Sequence, residues 1–398
     1  MGHDPGAPGS QLMFKGQYLA PLPTSTADRD GVAELGTGVL GLFPNFDAIG
    51  GVQASGRLAW RGIVEAPNPA FGMRYLILYG RDVDRPRSPR AEEEPLVVSS
   101  GLGAVAAAVG RRWPVRIVVV WHLDLLKLLF FLRARKASTV VFLHGVEAWR
   151  RQSAPVRMLL RRAHRILSNS DHTWERFVQH NPTCHGLPHR TVCLGIGEPL
   201  RGEIPGPART PIALMIGRLL RSEDYKGHRE VIDAWPHVVE RVSGAELWIV
   251  GDGDLRTDLE TMVRDRGMTE HVRFLGALPD AARDEVLIRS RCLLMPSRGE
   301  GFGLVYLEAM RVGRPCLVST LDAGREVINP PEAGLAVDPA DTRQVADAVS
   351  RLLTPGEEWD GWSIRARRRY EERFTAVHFE QRLVTALSGV VGSDGSAG

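Results

Sequence analysis

The feature that most constrains the fold of this chain is a repeated alternation of short apolar runs with longer amphipathic stretches. In the first half, runs rich in Val, Ile and Leu lie at 39–43, 75–79, 117–121, 140–143 and 166–169. A strand that is buried on both faces gives a continuous apolar run, and parallel strands need helical crossovers. The alternation therefore predicts a parallel sheet covered by helices.

A break rich in Pro and Gly at 199–209 separates this pattern from a second copy of it, with apolar runs at 212–216, 247–250, 272–275, 292–295 and 315–319. We predict an α/β chain with two Rossmann-like, doubly wound domains, over 36–198 and 210–364, facing across a cleft. Residues 1–35 are predicted to be an irregular leader and 199–209 a linker. Ligands of such folds bind beyond the carboxyl ends of the strands.

Composition and charge exclude several classes of protein. Hydrophobic residues make up 43% and charged residues 24%, which fits neither a disordered nor a collagen-like chain. The four cysteines are scattered without a C-x-x-C pair, which favours reduced, buried thiols over a disulfide scaffold or a zinc site. The most apolar run, 123–132, carries Asp124 and Lys127 and is shorter than the ~20 residues of a membrane span. With no secretory signal in the first ten residues, we predict a cytoplasmic protein.

Two motifs match known patterns in the wrong context. The G-x-G-x-x-G sequence at 36–41 leads into a strand, whereas the dinucleotide fingerprint follows one, so no nicotinamide or flavin cofactor is expected. Asp-x-Asp pairs at 28/30, 82/84 and 252/254 are interpreted as chance loop residues and not as metal ligands. P-loop and G-x-S-x-G motifs do not occur in the sequence.

The glycine-rich segment 296–310 is the strongest functional signal. It follows the apolar run that ends at Met295, and a helix is predicted to begin near Gly303. Free N–H groups at a helix start bind anions, and glycines allow close approach of a ligand. Glu300 lies in the turn and Glu308 about one and a half turns into the helix, so both can point toward a ligand at the helix start. Ionised carboxylates only accept hydrogen bonds, so sugar hydroxyls are their natural partners.

A second cluster, Gly217–His228, directly follows the first apolar run of the second half. Arg218 and Lys226 therefore lie at the carboxyl edge of the predicted sheet. Two fixed cations are what a departing diphosphate requires, because they stabilise the charge that develops on the leaving group. A solvated basic loop is the simpler alternative.

These motifs together resemble a known family. Gly217-Arg218, Tyr225–His228, Ile249–Gly253, Phe274–Gly276 and the E-x7-E pair of Glu300 and Glu308 are similar, in order and spacing, to the donor domain of retaining GT-B glycosyltransferases of family 4 (glycosyl transferases group 1). The similarity covers about 212–353. In the first half, Gly50-Gly51 resembles the family's glycine-rich loop and His144-Gly145 its histidine.

The resemblance implies roles for individual residues. The implied catalytic residues are Arg218 and Lys226 on the diphosphate, Glu300 on the transferred sugar and His144 near the reacting bond. Implied donor-binding residues are Gly50, Gly51, Gly217, Gly276, Ala277, Leu278, Gly301, Phe302, Gly303, Leu304 and Glu308, with Glu308 on the ribose and 276–278 beside the base. Asn45 and Glu147 are assigned to the acceptor side. Glu147 could equally cap the next helix, and a histidine such as His144 is often structural.

A basic stretch at 111–165 has two acidic residues, Asp124 and Glu147, and many arginines. One interpretation is a solvated surface. The other is contact with an anionic membrane or a lipid phosphate, with 125–131 and 159–160 adding shallow apolar contact. Nucleic acid is not expected as a partner, because no recognition motif occurs.

The resemblance thus implies a retaining glycosyltransferase with the GT-B fold, whose final helix, near 365–390, packs back on the first domain. It would move a hexose-type sugar from a nucleoside-diphosphate sugar, with UDP or GDP as the nucleotide, to a hydroxyl of a glycan, lipid or small molecule. No metal and no cofactor are expected. The alternatives are an inverting GT-B transferase, a phosphorylase, or a non-catalytic sugar-nucleotide-binding protein.

Overall fold

A computed structural model describes the chain over 38–46, 50–67, 71–80, 96–98, 101–110, 112–134 and 137–391. The predicted leader over 1–35, the first two residues of the glycine motif at 36–41 and the Asp pairs at 28/30 and 82/84 lie outside these residues.

In the described part of the first half, seven parallel strands form one sheet in the order β3-β2-β1-β4-β5-β6-β7. The strands are β1 (Gly38–Pro44), β2 (Met73–Tyr79), β3 (Leu96–Val98), β4 (Ile117–Val120), β5 (Ser138–Leu143), β6 (Arg165–Ser168) and β7 (His189–Thr191). The helices are α1 (Gly51–Glu65), α2 (Gly101–Val109), α3 (Ala154–Arg161) and α4 (Asp171–His180), with a 3₁₀ segment at Leu123–Phe130.

The second half forms a six-stranded parallel sheet in the order β10-β9-β8-β11-β12-β13, counted over the described residues. Its strands are β8 (Ile212–Ile216), β9 (Glu246–Val250), β10 (Val272–Gly276), β11 (Cys292–Met295), β12 (Cys316–Ser319) and β13 (Gly334–Val337). Its helices are α5 (His228–Arg241), α6 (Arg256–Asp265), α7 (Asp280–Arg289), α8 (Leu304–Arg311), α9 (Gly324–Ile328) and α10 (Thr342–Leu353).

The central strand β1 shows why the apolar runs form doubly covered sheets. Val39 and Phe43 belong to one buried cluster of side chains, whereas Leu40 and Leu42 belong to the other. Successive side chains of a strand point to opposite faces, so both faces of the sheet are apolar and each needs a helical layer. The predicted fold class, two Rossmann-like α/β domains, is confirmed.

The end of the chain differs from the single helix predicted near 365–390. Two helices, α11 (Glu357–Arg373) and α12 (Ala376–Val391), flank a break at Phe374–Thr375. α11 packs on α8 of the second domain, and α12 packs on α1 of the first. The break arises because the chain pairs there with another segment: Ile196 N donates to Phe374 O and Ala376 N donates to Gly197 O, each at 2.9 Å. These non-local bonds replace helical ones.

The four cysteines are free thiols, and Cys184, Cys292 and Cys316 are buried. In the described ranges, no helix combines the length and the apolar character that a membrane span needs.

Candidate active site

The candidate site lies where the carboxyl edges of the two sheets meet. The loop after β5, with His144 and Gly145, comes from the first domain, and the loop after β11, with Glu300 and Gly301, from the second. The two loops touch: a Cβ on Gly145 would lie 3.1 Å from the Gly301 Cα, and one on Gly301 would overlap the His144 carbonyl. Only glycines fit at this contact, so the site is shared by both domains.

Arg218 and Lys226 frame the second domain's side of the site. Arg218 directly follows β8 and Gly217, and Lys226 ends a 3₁₀ turn at Arg221–Lys226. Gly227, with φ 86°, then allows the sharp entry into α5. A Cβ on Gly217 would be 3.3 Å from the Lys226 Cδ, so the lysine side chain lies across the strand end. The structure thus brings the two predicted cations to one strand edge.

Glu223, which the sequence interpretation did not assign, holds both cations. Its carboxylate pairs with Lys226 Nζ at 2.7 Å and with the Arg218 guanidinium. Its side chain is 11% exposed, and that of Lys226 is 14% exposed. An anion that binds Arg218 and Lys226 must therefore compete with an internal carboxylate. Two adjacent acidic residues, Glu223 and Asp224, lie between Arg218 and Lys226 in this short loop and were the available signal.

The glycine-rich loop after β11 is shaped by close contacts. Gly303 has φ 85° and is the N-cap of α8, so the free N–H groups of the first turn of α8 face the site. A Cβ on Gly303 would overlap the Tyr306 ring, and one on Gly299 would lie 3.1 Å from the Tyr225 ring. Phe302 is buried and Leu304 half-buried, so the backbone of the loop is the part available to a ligand.

The Glu300 carboxyl experiences opposing effects. Burial raises its pKa above the ordinary value, while Lys226 and the backbone N–H groups of Phe302 and Gly301 lower the pKa. Lys226 and these N–H groups favour the ionised carboxylate. The arrangement suits a group that accepts hydrogen bonds from a neutral, hydroxyl-rich ligand.

Glu308 lies on α8, and its carboxylate is 3.7 Å from the guanidinium of Arg283 on α7. Gly276 ends β10 with φ 70°, and its carbonyl accepts from Gly251 N at 2.8 Å. Ala277 is exposed and Leu278 half-buried just after it. The predicted contacts of these residues with ribose and base stay predictions.

His144 directly follows β5 and is buried. Its Nε2 lies 2.6 Å from the Trp121 carbonyl, which can only accept, so Nε2 carries the proton and Nδ1 is an acceptor. Burial, with a smaller contribution from nearby His122, lowers the pKa of His144 to about 3. The ring is therefore neutral at physiological pH. The backbone carbonyl of His144 accepts a hydrogen bond from Asn169 Nδ2 at 2.6 Å.

The other predicted residues of the first domain lie around this loop. Glu147 accepts from His144 N at 2.6 Å and from Gly145 N at 3.3 Å, so it braces the histidine turn. Asn45 is buried after β1, and its N–H donates to the Tyr79 carbonyl at 2.8 Å. Gly51 begins α1, after Gly50, and a Cβ there would lie 3.5 Å from Leu304 of the second domain.

The basic stretch has many exposed charged side chains, but not all of the apolar side chains predicted to accompany them are exposed. Leu125, Leu128, Leu159 and Leu160 were predicted to add apolar contact, but all four are buried in the core of the first domain. Strand and helix packing decides this, because these leucines cover the sheet. The large apolar side chains of this stretch that are exposed are Phe130, Phe131, Val146 and Met158, at 47%, 44%, 53% and 39% exposure. Exposed basic side chains of the same stretch include Lys127, Arg133, Arg151, Arg161 and Arg162.

Within the described residues, no cluster of three or more His, Cys, Asp or Glu side chains has an arrangement that could hold a metal ion. Arg218 and Lys226 bring positive charge to the candidate site.

The part of the second domain that holds these cations also matches a known family. The family model for glycosyl transferases group 1 matches residues 210–355. Residues 210–355 form a group 1 glycosyltransferase domain. This group 1 domain contains Arg218, Lys226 and the Glu300 loop, whereas His144 lies outside the matched region.

Relatives and solved structures extend the comparison. The chain is 38% identical over 143 residues to a phosphatidyl-myo-inositol mannosyltransferase of Mycobacterium leprae, covering 35% of this chain and 36% of that protein. It is 31% identical over 147 residues to an alpha-D-kanosaminyltransferase of Streptomyces kanamyceticus, covering 37% of each. The matched part thus spans a little over a third of these relatives' length.

The fold of the two described domains is that of GT-B proteins. Sucrose-phosphate synthase from Thermosynechococcus elongatus superposes with a TM-score of 0.70 at 18% identity, over 89% of this chain and 100% of that one. Anabaena HepE, solved with UDP and glucose, gives 0.67 at 17% identity over 88% and 99%. The predicted GT-B fold is therefore confirmed for both domains, including the one that the family model does not match.

Proposed function

We propose that this protein is a retaining glycosyltransferase that moves a hexose-type sugar from a nucleoside-diphosphate sugar to an acceptor hydroxyl. The observation that carries the proposal is the placement of Arg218 and Lys226 beside Glu300 at the start of α8, opposite His144 of the other domain. The solved HepE structure with UDP and glucose makes UDP a natural first nucleotide to test, with GDP next.

The donor diphosphate lies against Arg218, Lys226 and the free N–H groups at the start of α8. Both the cations and the helix dipole stabilise negative charge there. Glu300 accepts hydrogen bonds from the sugar hydroxyls, Glu308 from the ribose, and residues 276–278 border the base. Fixed cations at the leaving diphosphate make a divalent metal unnecessary in this proposal.

In the transfer step, the acceptor oxygen forms a bond to the anomeric carbon as the bond from that carbon to the diphosphate oxygen breaks. The acceptor hydroxyl proton passes to the leaving phosphate oxygen, and the diphosphate leaves as the nucleotide product. Attack on the face that the diphosphate leaves retains the anomeric configuration. Arg218 and Lys226 bind the developing negative charge and so lower the barrier.

His144 supports this step as a neutral group. With Nε2–H bound to the Trp121 carbonyl, Nδ1 accepts a hydrogen bond from a sugar hydroxyl near the reacting bond. A neutral ring adds no charge that would attract the leaving diphosphate away from Arg218 and Lys226.

The test is calorimetric titration of the purified protein with UDP, GDP, ADP and dTDP, first with magnesium and then with EDTA. Micromolar binding of one nucleotide, unchanged by EDTA, supports the metal-free donor site. Binding of none, or binding only with magnesium, contradicts it.

The sugar nucleotide of the preferred base is then incubated with candidate acceptors, and the anomeric configuration of the product is read by NMR. A retained configuration supports the mechanism above, and an inverted one contradicts it. A requirement for orthophosphate would indicate a phosphorylase.

We also propose that the exposed basic surface of the first domain contacts an anionic membrane, where a lipid acceptor would lie. Lys127 and Arg133 lie within four residues of Phe130 and Phe131 in the sequence, and the exposed Arg161 ends α3, which packs on the 3₁₀ segment that contains Phe130. This surface combines charge with insertable aromatic rings. The name of the mycobacterial relative, which includes phosphatidyl-myo-inositol, is consistent with a lipid acceptor.

Sedimentation with phosphatidylcholine vesicles that contain or lack phosphatidylglycerol tests this contact. Binding should require the anionic lipid and fall in the double variant Phe130→Ser/Phe131→Ser. Leu321→Ser removes an equally exposed apolar side chain, 50% exposed, from the second domain and should bind as the wild type does. Equal loss in both variants would contradict the proposed surface.

A further inference from the structure

The first turn of α4, in the first domain, is hydrogen-bonded to the glycine-rich loop of the second domain. Ser170 Oγ donates to the Gly301 carbonyl at 2.8 Å, and Thr173 Oγ1 donates to the same oxygen at 3.2 Å. Ser170 and Thr173 are completely buried. Two buried hydroxyls on one carbonyl oxygen fix the direction of that carbonyl, because any rotation of the peptide would leave buried polar groups unpaired.

Glu326 of α9 holds the same turn from the other side. Its carboxylate accepts from Asp171 N at 2.8 Å and from His172 N at 2.6 Å, at the positive end of the α4 dipole. α9 itself is anchored by Arg369, which donates to the Val327 carbonyl at 2.6 Å. The Glu326 carboxylate of the second domain thus holds the first turn of α4 in place, so that the Ser170 and Thr173 hydroxyls stay within hydrogen-bond distance of the Gly301 carbonyl.

The fixed carbonyl determines the position of the Glu300 side chain. In a planar trans peptide, the C=O of Gly301 and the N–H of Phe302 point in opposite directions. Turning the carbonyl toward α4 therefore turns the Phe302 N–H away from it, and that N–H donates to the Glu300 carboxylate. The order of contacts runs from Thr173 to the Gly301–Phe302 peptide and then to Glu300.

We propose that Ser170 and Thr173 are positioning residues for the sugar-binding carboxylate of Glu300, so that the acceptor-side domain completes the donor-sugar site. This inference rests on the proposed function. If so, the two domains have different roles. Arg218 and Lys226 of the second domain bind the nucleotide, whereas the orientation of the sugar depends on α4 of the first domain. A donor then becomes reactive when the two domains are joined.

The test is Thr173→Val, which removes the hydroxyl and keeps the volume of the buried side chain. Thr173→Ser restores the hydroxyl and serves as the rescue. Thr385→Val is the matched control, since the Thr385 hydroxyl donates to Gln381 O inside α12 and touches neither loop. Ser170 is not used, because its Oγ also accepts from Thr173 N and caps α4. Glu326→Gln is a second, independent variant.

Each variant is measured for melting temperature, for the Kd of UDP and of UDP-glucose (or GDP and GDP-mannose if GDP binds better), and for kcat and KM of donor turnover. We expect Thr173→Val to leave the nucleotide Kd within twofold, to lower kcat about tenfold, and to abolish the preference for sugar nucleotide over nucleotide. Glu326→Gln should shift the same quantities in the same direction. Thr173→Ser and Thr385→Val should match the wild type.

Wild-type kcat in Thr173→Val would overturn the inference, as would an equal loss of nucleotide binding, which indicates general damage. Failure of the wild type to bind any nucleotide would instead contradict the proposed function. The two failures are therefore distinguishable.

Discussion

The two carboxyl edges that meet in the cleft are built from different kinds of group. The edge of the second domain carries charge: Arg218 and Lys226 share Glu223, and Glu300 lies next to Lys226. At the edge of the first domain, the buried His144 and Ser170 are uncharged and hydrogen-bonded to backbone carbonyls, and the Glu147 carboxylate accepts from the N–H groups of the histidine turn. A diphosphate requires fixed charges, and fixed charges require counter-ions. A site that orients hydroxyl groups needs directional, uncharged donors and acceptors instead.

This difference explains which half resembles known proteins in sequence. Charged and glycine-rich loops leave a recognisable pattern, and the family model matches residues 210–355, where they lie. The first domain keeps the fold, as the structural superpositions over most of the chain show, without that match.

The largest effect is expected at the charged edge. Arg218→Ala and Lys226→Ala should each lower kcat about 100-fold to 1,000-fold, because each removes a cation from the leaving diphosphate. The melting temperature should change little for Arg218→Ala, since that side chain is 59% exposed. Steady-state kinetics and thermal unfolding measure the two quantities.

Arg221→Ala is the matched control for the charged edge. It removes an arginine from the same loop, but one that pairs with Asp258 at 2.8 Å. Wild-type turnover in the Arg218→Ala/Lys226→Ala double variant would contradict the assignment of the leaving diphosphate to the charged edge.

A smaller, opposite effect is expected at Glu223. Glu223→Gln removes the carboxylate that competes with the diphosphate for Arg218 and Lys226, so nucleoside-diphosphate binding should tighten about fivefold. Asp224→Asn makes the same charge change next door, where the carboxylate pairs with Arg229 at 2.9 Å, and should leave the Kd unchanged. Calorimetric titration with the nucleoside diphosphate measures the Kd of each variant. Weaker binding in Glu223→Gln would contradict competition and would mean that this carboxylate aligns Arg218 and Lys226 for the ligand.

The smallest effect concerns the neutrality of the other edge. Burial lowers the pKa of His144 to about 3, whereas an unfolded histidine has a pKa of about 6.5. Between these values the unfolded chain binds a proton that the folded protein does not, so the free energy of unfolding falls as the pH falls. From pH 7 to 5.5 this histidine should account for about 1 kcal/mol of lost stability.

Urea unfolding of the wild type and His144→Gln at both pH values measures that loss as the difference between the two proteins. Other buried histidines, such as His228, contribute equally to both and cancel. An identical pH dependence in the two proteins would show that His144 titrates normally and that the edge is not neutral.

Much of the charged edge could be predicted from local sequence. Arg218 and the Glu300 loop each follow an apolar run directly, so the period of the pattern places them at strand ends. Gly303 at the start of α8 follows from the same logic, because the chain must turn sharply between strand and helix. The competing carboxylate of Glu223 was present in the sequence, but its bridging position depends on a 3₁₀ turn that spacing alone does not reveal.

The neutral edge could not be predicted in this way. Ser170 and Thr173 contact Gly301 across more than a hundred residues of sequence, and Glu326 reaches α4 from a different domain. Leu159 and Leu160 were predicted from the sequence to be available for membrane contact, but both are buried by the packing of their helix. The helix break at Phe374 likewise comes from backbone bonds to residues 196–197.

The sequence by itself determined the two α/β domains and the charged loops of the second, because strand period, helix starts and glycine turns depend on residues close together in the chain. The tertiary structure alone decided that Gly301 contacts His144 and that α4 orients the peptide next to Glu300. Such contacts join segments that are distant in sequence, and their positions depend on how every intervening element packs.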